Sequence, residues 1–193
     1  MRKITHIVIH CTATPAGKEV TVKEIDRWHR ARGFAKIGYH YVIHLDGSVS
    51  VGRKESEAGA HVAGHNATTI GISYVGGVDA NDINKARDTR TPAQKAAMEK
   101  LVRELLTRYP GAEVLGHRDF PGVAKACPSF DARAWWKSVD KVVPEMGPVE
   151  FVQAVEGDTL SKIAREHGMS LTEIRKLNPG VEELRIGQKV RVV

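Results

Sequence analysis

The fold is decided by the stretch Ile4-Thr5-His6-Ile7-Val8-Ile9-His10-Cys11-Thr12, whose side chains alternate between two faces. Ile7 and Ile9 fall on one face, whereas His6, Val8 and His10 fall on the other. A period of two residues is typical of a β-strand. The pattern therefore predicts a strand that ends at His10, and strand ends are where the side chains of a site tend to become accessible.

Further strands and helices follow this strand in a mixed order. A capping box, Thr21-Val22-Lys23-Glu24, opens a first helix, and Thr91-Pro92 opens a longer second one. Asp46-Gly47 predicts a hairpin turn between two strands. The order indicates the α/β class, with a mixed central β-sheet flanked by helices. The strands predicted after the first are Tyr39–Leu45, Ser48–Val51, Ile70–Val75 and Glu113–Leu115.

Two segments far from His10 carry side chains that could join it in a metal site. His117 follows the apolar pair Val114-Leu115, and Cys127 lies in Ala126-Cys127-Pro128. Two imidazoles and a thiolate suit Zn²⁺, and three protein ligands leave a fourth position for water or substrate. The spacing contains no C-x-x-C or H-E-x-x-H motif, so each residue taken singly is more often a structural residue than a metal ligand.

Six short segments, taken together in their order along the chain, favour the metal site over the structural explanation. Together they resemble the type 2 N-acetylmuramoyl-L-alanine amidases, and most of all the phage lysozyme branch of the superfamily that includes the peptidoglycan recognition proteins. The resemblance extends from about Ile4 to Trp136 and implies the zinc amidase fold. The segments are Ile7-Val8-Ile9-His10-Cys11-Thr12-Ala13-Thr14, Gly38-Tyr39-His40-Tyr41-Val42-Ile43, Ala58-Gly59-Ala60-His61, Gly71-Ile72-Ser73-Tyr74-Val75-Gly76-Gly77, Thr91-Pro92-Ala93-Gln94 and Lys125-Ala126-Cys127-Pro128-Ser129-Phe130-Asp131.

The resemblance also implies roles for single residues. It implies one Zn²⁺ held by His10, His117 and Cys127, and it implies a substrate-binding role for His61. It nominates Tyr39 and Lys125 as catalytic residues. A lysine beside zinc can stabilise the developing oxyanion, and a tyrosine hydroxyl can orient the attacking water. Which of the two, if either, is the general base stays open, and a core tyrosine and a surface lysine are the ordinary alternatives.

The third ligand bears on whether the chain is an enzyme. Some branches of the superfamily use an aspartate at this position, and some recognition proteins lack the cysteine and only bind. Cys127 therefore favours an enzyme. Cys11 and Cys127 are the two cysteines of the chain, which excludes a disulfide framework, and Cys11 is expected to be a small buried free thiol.

The C-terminal segment has a signature of its own. Residues 151–193 resemble a single lysin motif (LysM), a βααβ module that binds glycans containing N-acetylglucosamine. The residues agree with that resemblance, because Asp158 or Thr159 can cap a first helix and Ser170-x-x-Glu173 can cap a second. We therefore predict a catalytic domain over residues 1–141, a linker over 142–150 with two prolines and a glycine, and the lysin motif over 151–193.

Composition limits the remaining choices. The chain has 193 residues and a net charge of +6, and the excess lies in the first 148 residues, because 149–193 contain seven basic and seven acidic side chains. A basic domain attracts polyanions, yet no Lys/Arg tract interleaved with aromatic residues indicates nucleic-acid binding. No apolar stretch is long enough for a membrane span, and we find no secretory signal. We expect synthesis in the cytoplasm.

The expected function is zinc-dependent cleavage of the amide bond between N-acetylmuramic acid and L-alanine in peptidoglycan. The expected partners are the glycan strand and the stem peptide, and a monomer is expected. The missing signal suits a phage or prophage endolysin that reaches the wall after release. A wall-recycling amidase in the cytoplasm fits less well, because a polymer-binding module is of little use on soluble fragments. The alternatives are a non-catalytic peptidoglycan-binding protein and a basic regulator of nucleic acid or of a polymerase.

Overall fold

The computed structural model describes residues 2–140 and 150–192. The chain divides into two compact units, Met1–Asp140 and Lys141–Val193. The linker predicted over 142–150 falls almost wholly on 141–149, which lie outside the described residues. In the described parts of the chain, no helix is long and apolar enough to cross a membrane.

The first unit is built on a five-stranded mixed sheet. Its strands are β1 (His6–Cys11), β3 (Tyr41–Ile43), β4 (Val49–Val51), β5 (Thr69–Tyr74) and β7 (Glu113–Gly116), and a separate parallel pair is formed by β2 (Thr14–Pro15) and β6 (Gly77–Val78). In the sheet the strands lie in the order β4-β3-β5-β1-β7, and all neighbours are parallel except the edge pair β3–β4, which forms the predicted antiparallel hairpin. This arrangement confirms the predicted fold class.

Helices and loops cover both faces of this sheet. The alternation predicted for β1 is confirmed, because Ile7 and Ile9 belong to a core with the second helix, whereas Val8 packs in a separate cluster on the other side. Both faces of the strand are therefore buried, as expected for a central parallel strand. The helices of this unit are α1 (Val22–Ala31), α2 (Pro92–Arg108) and α3 (Ala132–Asp140).

The helix boundaries follow the predicted caps. Thr21 and Thr91 each accept a hydrogen bond from the third residue of their helix, and the return bond of the capping box is present in both. Trp135 and Trp136 of α3 are partly buried and pack against the main core. Strand ends differ from the prediction: β1 extends one residue further, to Cys11, and β3 is shorter at both ends, from Tyr41 to Ile43. It stops at Ile43 because the next two backbone N–H groups bond to Ser48 O and to the carboxylate of Glu19.

The second unit is the predicted βααβ module. It contains β8 (Phe151–Gln153), α4 (Leu160–Glu166), α5 (Leu171–Leu177) and β9 (Lys189–Arg191), with the two strands paired antiparallel. Thr159 caps α4, and Ser170 and Glu173 form the capping box of α5. Asn178 then fastens α5 to β9, because its side chain bonds the backbone N–H and C=O of Arg191 at 2.8 and 2.9 Å.

Candidate metal centre and cleft

His10 and His117 meet because they lie at the carboxyl ends of neighbouring parallel strands. The register of β1 and β7 pairs Ile9 with Gly116, so the next residue in β1 is His10, and the residue that directly follows β7 is His117. The carboxyl ends of parallel strands meet at one edge of a sheet, which is where sites form in open α/β folds. The two ring centroids are 4.6 Å apart. Sheet topology thus unites two residues that are more than a hundred positions apart in sequence.

Cys127 reaches the same edge on a loop that is fastened to the sheet. The N–H of Arg118 donates to Cys127 O at 2.8 Å, and the hydroxyl of the buried Tyr74 donates to Pro128 O at 2.8 Å. The Cys127 Sγ atom lies 3.7 Å from His10 Nδ1 and accepts a bond from the Cys11 N–H at 3.4 Å. The loop therefore presents its sulfur to the two histidines.

This donor set fits a zinc ion. One donor atom from each of His10, His117 and Cys127 lies within 4.8 Å of the other two, and no second such group of three exists among residues 2–140 and 150–192. Zn–N and Zn–S bonds of about 2.0 and 2.3 Å in a tetrahedron put the nitrogen and the sulfur roughly 3.5 Å apart. The observed 3.7 Å between His10 Nδ1 and Cys127 Sγ is close to that value.

The electrostatic environment keeps both histidines neutral, which is the form that binds metals. Burial, followed by the neighbouring His61 and His117 rings, lowers the pKa of His10 well below its usual value. Burial and then the ammonium of Lys125 lower the pKa of His117. Because a neutral imidazole has one nitrogen lone pair free, both rings are ready to ligate near neutral pH.

Tyr39 stands against His10 on the neighbouring part of the sheet edge. The two ring centroids are 5.1 Å apart. Burial raises the pKa of the Tyr39 hydroxyl, so this group stays protonated at neutral pH. Gly38 permits this placement: a Cβ atom there would lie 2.2 Å from Ala60 O. A residue without a side chain lets the Tyr39 segment pack directly against the loop that carries His61.

An open cleft of about 490 Å³ lies over these groups. Of the six residues singled out from sequence, five line it, and His10 is almost fully buried at 1% exposure. Lys125 is exposed at the cleft, so its ammonium is accessible to a ligand. Sequence reasoning missed Arg32 and Phe34, which also line the cleft. No pattern marks them, because they simply follow the end of α1.

His61 lies in the wall of the cleft, but both of its ring nitrogens already have protein partners. Nδ1 is 3.0 Å from His10 Nε2, and Nε2 is 3.3 Å from Thr69 Oγ1. The residue is buried, with 8% of its surface exposed. Its predicted contact with substrate stays a prediction, and its contact with His10 is the nearer interaction.

Gly116 gives a first test of how the centre is assembled. A Cβ atom at this position would lie 2.7 Å from Pro128 Cδ, a ring atom that cannot swing aside. We expect Gly116→Ala to lower the free energy of unfolding by about 1–3 kcal/mol, the usual cost of overpacking, and to weaken zinc binding by displacing the Cys127 loop. Thermal unfolding and chelator competition measure the two effects. Unchanged values for both would contradict the close packing of this loop against β7.

Comparisons with known proteins agree with this geometry. The profile of the family described as N-acetylmuramoyl-L-alanine amidase matches residues 1–130, and the profile of the LysM domain matches residues 153–193. The endolysin of Klebsiella phage KP32 is 40% identical over 146 residues, which cover 76% of this chain and 94% of that protein. The endolysin of Escherichia phage T7 is 40% identical over 141 residues, covering 73% and 91%.

A solved structure of an amidase has a similar fold. The N-acetylmuramoyl-L-alanine amidase LysC from Clostridium intestinale superposes with a TM-score of 0.59 and 28% identity, covering 72% of this chain and 87% of that one.

Proposed function

Because the chain belongs to the N-acetylmuramoyl-L-alanine amidase family, we propose that its amidase activity depends on one zinc ion held by His10, His117 and Cys127. The chain is thus an enzyme, and not the non-catalytic binding protein that the sequence left as an alternative. It carries a LysM domain in addition. The scissile bond that we propose joins N-acetylmuramic acid to L-alanine in peptidoglycan.

The residues of the cleft divide the chemistry between them. Zinc bound at the three donors would supply Lewis acidity for the amide carbonyl and for a water molecule. Lys125, accessible at the cleft, donates a hydrogen bond to the oxygen that becomes negative as the carbonyl is attacked. Tyr39 holds its proton at neutral pH and is therefore suited to donate a hydrogen bond to the water or to the carbonyl.

One observation carries the proposal: donor atoms of two histidines and a cysteine lie within 4.8 Å of one another beside the cleft. The test measures both the zinc content of the purified protein and the identity of its reaction products. Purified protein should contain one equivalent of zinc, and mass spectrometry of soluble products from purified sacculi should detect free stem peptides that begin with L-alanine. Products that still carry muramic acid on the peptide would contradict the proposed bond.

The place of action follows from the nature of the substrate. Relatives of this chain are named endolysins, and we propose that this protein acts on the cell wall after release from the cell that makes it. The LysM domain suits an insoluble polymer better than soluble wall fragments, because a second contact with the same polymer raises the effective concentration of the first domain.

The two domains should divide catalysis and targeting. Every residue assigned to the chemistry lies within the first 127 residues, and the amidase family match ends at residue 130, before the LysM match begins at residue 153. We therefore expect a chain that ends at Pro144 to cleave a soluble muramoyl-peptide about as fast as the whole protein. On intact sacculi the shortened chain should be slower, mainly through weaker binding.

The complementary fragment provides the control for this prediction. Residues 151–193 alone should sediment with insoluble wall and release no products. An equal loss of activity on soluble and insoluble substrates after truncation would mean that the second domain completes the fold of the first, and the targeting role would be rejected.

A further inference from the structure

The ring nitrogen of His10 that faces away from the metal site has a protein partner. His10 presents Nδ1 to Cys127 Sγ at 3.7 Å, and its Nε2 lies 3.0 Å from His61 Nδ1. The two rings are nearly perpendicular, at 89°, with centroids 5.0 Å apart. This edge-on arrangement points one nitrogen at the other. His61 therefore contacts the ligand histidine on the side opposite the proposed zinc.

The direction of this bond can be assigned from the next residue in the network. The Thr69 hydroxyl donates to the backbone oxygen of His65 at 3.0 Å, which uses its only proton. It can therefore only accept from His61 Nε2, 3.3 Å away. With its proton on Nε2, a neutral His61 has a free lone pair on Nδ1. His10 must then donate from Nε2, which leaves the His10 Nδ1 lone pair free towards Cys127.

The surroundings of His61 hold its ring in that position. A Cβ atom at Gly59 would lie 2.3 Å from His61 Cδ2, and one at Gly71 would lie 2.7 Å from it. Neither glycine has a positive φ, so space for the ring is what these positions provide. The backbone is held as well, because the N–H groups of His61 and Val62 donate to Asn66 Oδ1 at 2.8 and 3.0 Å.

We propose that His61 is a positioning residue for the metal centre: together with Thr69 it fixes the tautomer and the ring orientation of His10. This proposal rests on the zinc site of the proposed function. A histidine that carries its proton on Nδ1 cannot ligate through that atom, so a fixed acceptor at Nε2 removes the competing tautomer before metal arrives. Groups that hold the far nitrogen of a ligand histidine typically contribute 10–100-fold to metal affinity.

The first test measures zinc affinity in four variants by competition with a chromophoric chelator. His61→Leu removes the acceptor and should weaken zinc binding about 10–100-fold. His61→Asn places an amide oxygen near the position of Nδ1 and should recover most of the loss. Thr69→Val should weaken binding less than His61→Leu, and the matched control Thr68→Val should leave it unchanged, because the Thr68 hydroxyl bonds to His65 O and not to the His61 ring.

Two results would overturn the proposal while leaving the zinc site intact. One is a wild-type protein that binds zinc and a His61→Leu variant that binds it equally well. The other is a His61→Asn variant that binds zinc no better than His61→Leu, which would indicate that His61 only fills space. A wild-type protein without zinc affinity would instead contradict the proposed function together with this inference.

The second test needs no substitution and reads the tautomers directly. Two-dimensional ¹H–¹⁵N NMR of the imidazole rings in the metal-free and zinc-loaded protein should show His61 protonated on Nε2 and not on Nδ1 in both states. The His10 ring should carry its proton on Nε2 before zinc is added. A proton on His61 Nδ1 would reverse the hydrogen bond to His10 and overturn the proposal.

Discussion

Cys127→Ser is expected to lose most of its zinc at micromolar zinc concentrations, and its amidase activity with it. The substitution exchanges a soft thiolate for a hydroxyl that stays protonated at neutral pH and is a much poorer zinc ligand. Only His10 and His117 would remain to hold the ion. Atomic absorption on the purified protein and product release from sacculi measure the two losses, and both should exceed the effect of any other single change considered for this chain.

The other cysteine provides the matched control. Cys11 is a buried free thiol, and Cys11→Ser makes the same exchange one residue after His10. The Cys11 N–H that bonds Cys127 Sγ belongs to the backbone and is kept. This variant should retain one equivalent of zinc. Stoichiometric zinc and full activity in Cys127→Ser would show that the ligand assignment is wrong.

Lys125→Ala and Tyr39→Phe should each lower turnover strongly while zinc stays bound. Loss of one donor to a developing oxyanion typically costs on the order of 10²–10³-fold. Because Lys125 is exposed, its truncation leaves no cavity, and Tyr39→Phe keeps the ring that packs against His10. The measurement is kcat on a soluble muramoyl-peptide, with zinc content and thermal unfolding recorded for each variant.

A surface lysine gives the control for charge. Lys137 lies exposed on α3 and contacts none of the three ligands, so Lys137→Ala makes the same change in net charge and should leave turnover unaltered. A Lys125→Ala variant within about threefold of the parent enzyme would remove Lys125 from the mechanism, because that ratio corresponds to less than about 1 kcal/mol of transition-state stabilisation.

These substitutions separate two ways of losing activity. The cysteine variant should fail because the metal is absent, whereas the lysine and tyrosine variants should fail with the metal in place. The His61 variants lie between them, because a change in zinc affinity would lower activity at limiting zinc and restore it when zinc is added in excess. A zinc titration of each variant therefore assigns its residue to metal retention or to the chemical step.

Local sequence was sufficient for most of the secondary structure. The alternation of Ile7, Val8 and Ile9 predicted the central strand, and the capping boxes at Thr21, Thr91 and Ser170 each mark a helix start in the structure. These signals are reliable because they are satisfied within a few residues of chain, by backbone geometry and nearby hydrogen bonds. Strand length was less predictable, since beyond the end of β3 the backbone N–H of Leu45 bonds to the carboxylate of Glu19, which is 26 residues away in the sequence.

The site was predictable only as a set of residue types. A histidine at a strand end, a second histidine after another strand and a cysteine in a loop each have ordinary structural explanations, and six ordered segments were needed to join them in one hypothesis. Arg32 and Phe34 at the cleft had no signal at all. A cleft is formed by surfaces from several elements, and single-chain periodicity carries no information about which surfaces face each other.

The sequence by itself determined the fold class, the family and most of the elements, and it nominated the three donor residues of the proposed zinc site, because each depends on side chains or motifs that can be read in chain order. Only the tertiary structure decided which groups touch. The parallel register of β1 and β7 brings His10 beside His117, and the close approach of Gly116 to Pro128 brings in the Cys127 loop. The space beside Gly59 and Gly71 admits the His61 ring. The physical reason is that hydrogen-bond direction and metal-ligand geometry depend on distances of a few ångströms between residues distant in sequence, and packing alone sets those distances.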